Sequence, residues 1–348
     1  MSLPGPMFQA VAAGVLLAFC GGSAVAQAPD VPIETLQPLL QDEAILKKAA
    51  ELREAGELMD AETVSAQLKT PQPGPIALAE PSTRPLRGRE IAARARQAYL
   101  RLGWYYLCPR CEKWHLQFAG AYPIADDAIV TCHHCVVPKT DMRKGYLIVL
   151  DAAGNVLPVA GILARSQTMD VAILRVKGGK LTPLALQDNV APGDTAYCFS
   201  EPLGQHGYFS TGIVNRFFWK RKQSGAAGSI DELKSLRLNV STDWAPGSSG
   251  AAVLDDCGNV IGHVSMISPL SENARPPAST PAPIKDGTKP GAKPDETTKP
   301  SGERSGAVLI TLHEAIPARA VKALANTRPD VQSPTPVEAP KTNPAAGN

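Results

Sequence analysis

One-sided charge is missing from this chain: its 348 residues carry a formal net charge of only +2. A protein that holds nucleic acid or an anionic membrane surface through its overall charge needs a basic excess, so neither partner is expected. Long apolar runs are missing too. The apolar stretch at residues 11–19 falls short of the about 20 residues that a membrane-spanning helix requires, so stable membrane insertion is not expected. No basic run precedes that stretch, yet Ala24-Val25-Ala26 before Gln27 makes a small-x-small cleavage site, and residues 1–26 read as a secretory signal peptide. The implied location is periplasmic or secreted. Cys20 invites lipid anchoring, but the bulky Phe19 stands where lipid-attachment sites carry a small residue, so an unanchored exported protein is expected. Cleavage after Ala26 removes Cys20 from the seven cysteines and leaves six, an even number suited to an oxidising compartment.

With 44% hydrophobic residues the chain has enough apolar material for one two-lobed domain of ordinary size plus tails. Residues 27–70 are rich in Leu, Ala, Glu and Lys at helical spacing and predict a helical N-terminal extension. It reads first as a packing or dimerisation appendage, with a propeptide or cleft-occluding segment as the alternative. A Pro-rich linker is expected over 71–86, then a helix over 89–102 with Ile91, Ala95, Ala98 and Leu102 on one face. From Trp114 the pattern changes to short β runs, among them 145–150, 157–163, 171–176, 196–199, 236–240 and 260–266, separated by Gly/Asn/Asp turns, which predicts an all-β barrel or sandwich. Residues 271–306 repeat Lys-Pro and Pro-Ala elements with almost no apolar residue and predict a disordered insertion. Apolar sequence returns at 307–310, residues 316–324 predict a terminal helix with Pro317 near its start, and 328–348 predict a disordered tail.

Three short segments carry chemistry. Val130-Thr131-Cys132-His133-His134-Cys135, Met169-Asp170-Val171-Ala172-Ile173-Leu174 and Pro246-Gly247-Ser248-Ser249-Gly250-Ala251 supply a His, an Asp and a Ser in that order. A serine hydroxyl is a poor nucleophile at neutral pH; an imidazole must take its proton and a carboxylate must hold that imidazole in the right tautomer. His134, Asp170 and Ser249 suit those roles. Gly247 and Gly250 let the chain turn tightly around Ser249, so that the amides of Gly247 and Ser249 converge on one point as an oxyanion hole.

On these segments the chain resembles the trypsin-like, two-barrel serine peptidases, and most closely the bacterial branch that includes the high-temperature-requirement periplasmic proteases. The family's Thr-x-x-His motif selects His134 over His133, and Asp170 to Leu174 match its Asp-Val-Ala-Ile-Leu pattern. Further matches are Pro192-Gly193-Asp194, Glu201-Pro202-Leu203-Gly204, Ser210-Thr211-Gly212-Ile213-Val214 and Val260-Ile261-Gly262-His263-Val264-Ser265. Ala251 departs from the family's second glycine. Ser248 replaces the Asp with which animal trypsins capture a freed N-terminal amine, so activation by that route is not expected.

The resemblance implies two six-stranded antiparallel β-barrels of the chymotrypsin type with a C-terminal helix, in a peptidase domain over 87–327. The first barrel would span about 104–178 and the second about 181–327. It implies protein or peptide substrates, no cofactor, and a cleft between the barrels that joins His134 and Asp170 to Ser249. Ser265, Met266 and Ile267 would form the edge that pairs with an extended substrate, and the 271–306 insertion would fall beside the specificity pocket. Asp243, six residues before Ser249, sits at the offset of a basic-selecting Asp, though a Thr-Asp pair there also serves the bacterial relatives structurally. His263 lies near a glutamate-selecting position, one residue out of register. No PDZ-like domain is expected after Thr327. Cys198 and Cys257 resemble a family disulfide pair.

Cys108, Cys111, Cys132 and Cys135 form two C-x-x-C pairs about twenty residues apart, open to structural disulfides, to a zinc ribbon or to redox chemistry. Zinc on Cys132 and Cys135 would sit beside the imidazole of His134. His115 reads as structural. Two rival readings are a catalytically inactive barrel used as a protein-binding module and a zinc or redox protein built on those four cysteines; the second leaves Asp170 and Ser249 unexplained.

Overall fold

The computed structural model describes residues 39–220, 233–271 and 308–327. The expected signal peptide with Cys20, residues 272–306 of the expected insertion and the 328–348 tail lie outside them.

Two closed six-stranded antiparallel barrels form the body. The first contains β2 (Leu100–Leu107), β3 (Trp114–Pro123), β4 (Ala128–Thr131), β5 (Lys144–Leu150), β6 (Val156–Ser166) and β7 (Val171–Val176), in the order β5-β2-β3-β4-β7-β6 with β6 returning to β5. The two-residue β1 (Met59–Asp60) is added outside β5 through Met59 opposite Leu147. The second barrel contains β8 (Thr195–Ser200), β9 (Tyr208–Trp219), β10 (Leu236–Val240), β11 (Ala252–Leu254), β12 (Val260–Ser271) and β13 (Val308–Pro317), in the order β10-β13-β12-β11-β8-β9. Ser271, expected to open the insertion, instead ends β12 opposite Val308.

Strand alternation explains how the barrels join. Side chains point to opposite faces at successive residues. On β7, Ala172, Leu174 and Val176 enter the interior of the first barrel, while Val171 and Ile173 belong to a core shared with Val253, Val264 and Ile316 of the second. Two matching turns close one hairpin in each barrel: Asp151 Oδ1 accepts the N–H groups of Ala153 and Asn155 between β5 and β6, and Asp255 Oδ1 accepts those of Cys257 and Asn259 between β11 and β12.

Helix α1 (Leu39–Glu54) lays Ile45, Ala49 and Leu52 against Tyr105, Ile148 and Leu150 on the outside of the first barrel. Helix α2 (Ala61–Lys69) starts at Asp60, which caps Thr63, and packs Val64 and Leu68 beside Leu147. Helix α3 (Gly88–Ala98) ends sooner than the spacing predicts. Tyr99 is extended, and Leu100, Leu102 and Trp104 alternate inward on β2 rather than continuing the helical face. The spacing of Ala98 and Leu102 fits either element, and barrel closure decides it. The last helix, α5 (Ala318–Ala325), buries Ala320, Val321 and Leu324.

The segment expected as a linker is tied down along its length. Gln72 donates to the Ile162 carbonyl, the Pro75 carbonyl accepts from Arg175, and Leu86 donates to the Asp256 carbonyl. Asn259, almost fully buried, accepts from the Ser82 N–H and donates to the Ser82 carbonyl, 2.8 and 2.9 Å. Residues 71–86 therefore run as a strap from the first barrel to the second. Asn259→Ala should cost about 1–3 kcal/mol through these lost bonds and expose the strap to added protease in a Ser249→Ala background. Thermal unfolding and timed proteolysis measure both; an unchanged melting point and an uncut strap would show that the latch contributes nothing.

Candidate active site

β4 runs out at Thr131, whose hydroxyl donates to the Gly120 carbonyl, and Cys132 donates its thiol proton to the Val264 carbonyl of the second barrel. One helical turn, α4 (His133–Val136), follows, and the Trp104 indole secures it through the Cys135 carbonyl. This geometry lifts the His134 ring to the cleft, where about half of it is exposed, while His133 is buried.

Asp170 sits in a tight turn after β6 with φ of 61°, a left-handed conformation that aspartate tolerates better than most residues. Its carboxylate receives the His134 N–H at 3.1 Å, His134 Nδ1 at 2.9 Å and the Ser265 hydroxyl at 2.7 Å. Burial opposes its charge, but hydrogen bonds from His134 and Ser265 outweigh it and hold the carboxyl at about 2. The Asp170 and Cys135 side chains, in that order, raise the His134 pKa well above its ordinary range. Cys135 is itself lowered, through the Cys132 thiol and His134.

Ser249 belongs to the second barrel, and the bond from the Gly120 N–H to its carbonyl, 2.7 Å, fixes it against β3. Gly247 and Gly250 have φ of 102° and 84°. A side chain at Gly247 would meet the Glu201 carbonyl, and one at Gly250 would meet the Gly120 carbonyl. Among the described residues, the N–H groups of Gly247 and Ser249 donate to no backbone carbonyl. Gly247, Ser249, His134 and Cys135 line one cleft together with Trp104, Phe118 and Lys139. Among the described residues, nothing from α1, α2 or α3 lines it.

Other expected residues fall differently. Ser265 turns its hydroxyl to Asp170 because β12 is bulged between Val264 and Met266, which leaves Ser265 out of the β13 register. No spacing in the sequence signals that bulge. Met266 is exposed, but its carbonyl is taken by the Trp244 indole, and Ile267 is half-buried against the core shared by the two barrels. Asp243 is exposed beside the Tyr208 hydroxyl at 3.5 Å and does not line the cleft. His263 is buried against Tyr122 and the Asp170 carbonyl, and burial lowers its pKa to about 4, so it is a neutral core residue rather than a pocket histidine.

The cysteine expectations need correction. Cys198 and Cys257 are free thiols. Cys198 is buried opposite Val253, while Cys257 lies four residues beyond Val253, in the Asp255 turn. The four N-terminal cysteines make no common cage; their donor atoms gather in two groups, Cys108 and Cys111 with His115, and Cys132 and Cys135 with His134.

The electrostatics predict a nuclear magnetic resonance titration. The His134 ring should lose its proton well above the ordinary imidazole value of about 6.5, and Asp170→Asn should bring that value down. His263 should stay neutral until pH falls to about 4. A His134 titration at the ordinary value would contradict the Asp170 contact.

Residues 120–262 match the family model described as trypsin-like peptidase domain. The serine protease PepD of Mycobacterium tuberculosis (strain ATCC 25618 / H37Rv) is 29% identical over 118 residues, 32% of this chain and 25% of its own length, so the chain aligns with about a quarter of that curated relative. The solved structure of an HtrA-type protease, AlgW with tripeptide, superposes with a TM-score of 0.44 at 17% identity, over 68% of this chain and 62% of its own. The matched span runs from the β3 wall of the cleft, through His134, Asp170 and Ser249, into β12, so the similarity to trypsin-like peptidase domains covers the residues that line and order the cleft.

Proposed function

We propose that the protein is a serine endopeptidase that hydrolyses peptide bonds through an acyl-enzyme intermediate. The observation that carries this reading is the His134–Asp170–Ser265 hydrogen-bond chain at the cleft that Ser249 and Gly247 also line. Ser249 Oγ attacks the scissile carbonyl while His134 Nε2 takes its proton. Asp170 holds the Nδ1–H tautomer and stabilises the imidazolium as it forms. The carbonyl oxygen becomes an oxyanion received by the N–H groups of Gly247 and Ser249. Collapse breaks the C–N bond, and His134 returns the proton to the leaving amine. Water then repeats the sequence on the ester, releasing the acid and regenerating Ser249. The expected export signal makes periplasmic or extracellular proteins and peptides the substrate class.

A fluorophosphonate probe should label the wild-type protein and leave Ser249→Ala unlabelled, with both melting at the same temperature. Absence of labelling in the wild type would favour an inactive barrel that binds proteins, and residual proteolysis by Ser249→Ala would remove Ser249 from the mechanism.

The pH profile follows from the raised His134 pKa. A base must be unprotonated to accept a proton, so activity falls as pH drops through that pKa. The acid limb of kcat/KM should therefore lie above about 6.5. An acid limb at or below that value would contradict the assignment of His134 as base in its Asp170-bound state.

A further inference from the structure

Cys108, Cys111 and His115 lie at the tip of the β2–β3 hairpin, and the proposed hydrolysis makes no use of them. The hairpin register sets Tyr106 opposite His115 and Leu107 opposite Trp114, which brings the residue after β2 level with the start of β3. The tip is closed by two backbone bonds, Cys108 N–H to the Lys113 carbonyl at 2.9 Å and Glu112 N–H to the Cys108 carbonyl at 3.1 Å, with Glu112 turned to φ of 55°. This fold-back delivers Cys111 Sγ to within 2.9 Å of His115 Nε2. All three donor atoms lie within 4.8 Å of one another.

Two further features suit a metal. The N–H groups of Cys111 and Arg110 hydrogen-bond to Cys108 Sγ, an arrangement of donors that suits a metal-bound thiolate. The Tyr106 ring lies 5.7 Å from the His115 ring and limits how that imidazole turns. Tetrahedral zinc with bonds of about 2.0–2.3 Å places its donors roughly 3.5–3.8 Å apart, so small side-chain rotations close the set. Two sulfurs and an imidazole are soft or borderline donors, which favours zinc over magnesium or calcium.

We propose that Cys108, Cys111 and His115 bind one zinc ion at the hairpin tip, with a water molecule at the fourth vertex. Binding releases the two thiol protons, and the resulting thiolates neutralise the ion's two positive charges without any redox change. The same hairpin carries Phe118 and Gln117 into the cleft wall, so the ion clamps the far end of the strands that shape it. The site stands apart from Cys132, whose thiol donates to the Val264 carbonyl in the seam between the barrels.

The test is the zinc content of the reduced protein purified without chelator, compared with Cys108→Ser, Cys111→Ser, His115→Gln and Cys135→Ser. About one zinc per chain is expected in the wild type, lost in each of the first three variants and kept in Cys135→Ser. Cobalt substitution should give a thiolate charge-transfer band that follows the same pattern. Circular dichroism and fluorophosphonate labelling of the variants distinguish a lost ligand from a lost fold, and the metal content is read independently of whether Ser249 reacts. A wild-type protein that takes up neither zinc nor cobalt after reduction would overturn the proposal. So would zinc that survives Cys111→Ser and disappears in Cys135→Ser, which would assign it to the cluster around His134.

Discussion

The hydrogen bond from the Gly120 N–H to the Ser249 carbonyl crosses between the two barrels, and the arrangement of the cleft depends on it. His134 and Asp170 are anchored in the first barrel and Ser249 in the second, so no single barrel contains the whole constellation. The forces that join the halves divide the work. The shared core of Val130, Val171 and Ile173 with Val253, Val264 and Ile316 supplies the attraction, at about 1.5–3 kcal/mol for each fully buried side chain. The seam bonds, at about 0.5–1.5 kcal/mol each, are weaker but directional, and they set register. Gly120 to Ser249 and Cys132 to Val264 both lie within a few residues of the cleft. Farther out, Arg101 grips Glu201 through three bonds of 2.6–2.9 Å and Arg237 reaches the Thr168 carbonyl, so the barrels are pinned at several separated points.

Asp170 shows how the site resolves a conflict between burial and charge. A carboxylate that loses most of its water is driven toward its neutral form. Here three donors converge on it, two from one residue and one from across the seam, and the balance falls on the charged side. The left-handed backbone at Asp170 and the bulge at Ser265 are the local distortions that make this convergence attainable. Both are irregularities that a regular barrel would not contain, in keeping with the general finding that strain and bulges gather at functional sites.

Much of this was legible in the sequence because it rests on local rules. The 171–176 strand was readable from its nearly continuous apolar run, the 236–240 strand from the alternation of Leu236, Leu238 and Val240 with polar residues, and the Asp151 and Asp255 turns from their Asp/Asn/Gly composition. His134, Asp170 and Ser249 were readable from the motifs around them. What escaped was set by long-range geometry. β2 could not be separated from α3 because Ala98 and Leu102 satisfy helical spacing, and only pairing with β3 and β5 makes Leu100 onward a strand. The 71–86 segment has the composition of a loose connector, yet its backbone bonds go to residues up to 177 positions away. The orientation of Ser265 depends on a bulge that no residue type announces.

The cysteines give the sharpest instance. Cys108-x-x-Cys111 and Cys132-x-x-Cys135 have the same spacing, and spacing alone offers disulfide, metal or redox chemistry to both. The backbone separates them. Around Cys108 the chain folds back so that N–H groups face the sulfur, an environment that stabilises a thiolate. Around Cys132 burial pushes the thiol pKa up, and the retained proton is donated to the Val264 carbonyl. A thiolate at Cys132 would set a negative charge against the Val264 carbonyl and close to Asp170, so the thiol is retained as a donor in the seam. Which atoms the fold aims at a sulfur therefore fixes its chemistry, and a motif of identical letters becomes a surface cluster in one place and an inter-barrel fastening in the other.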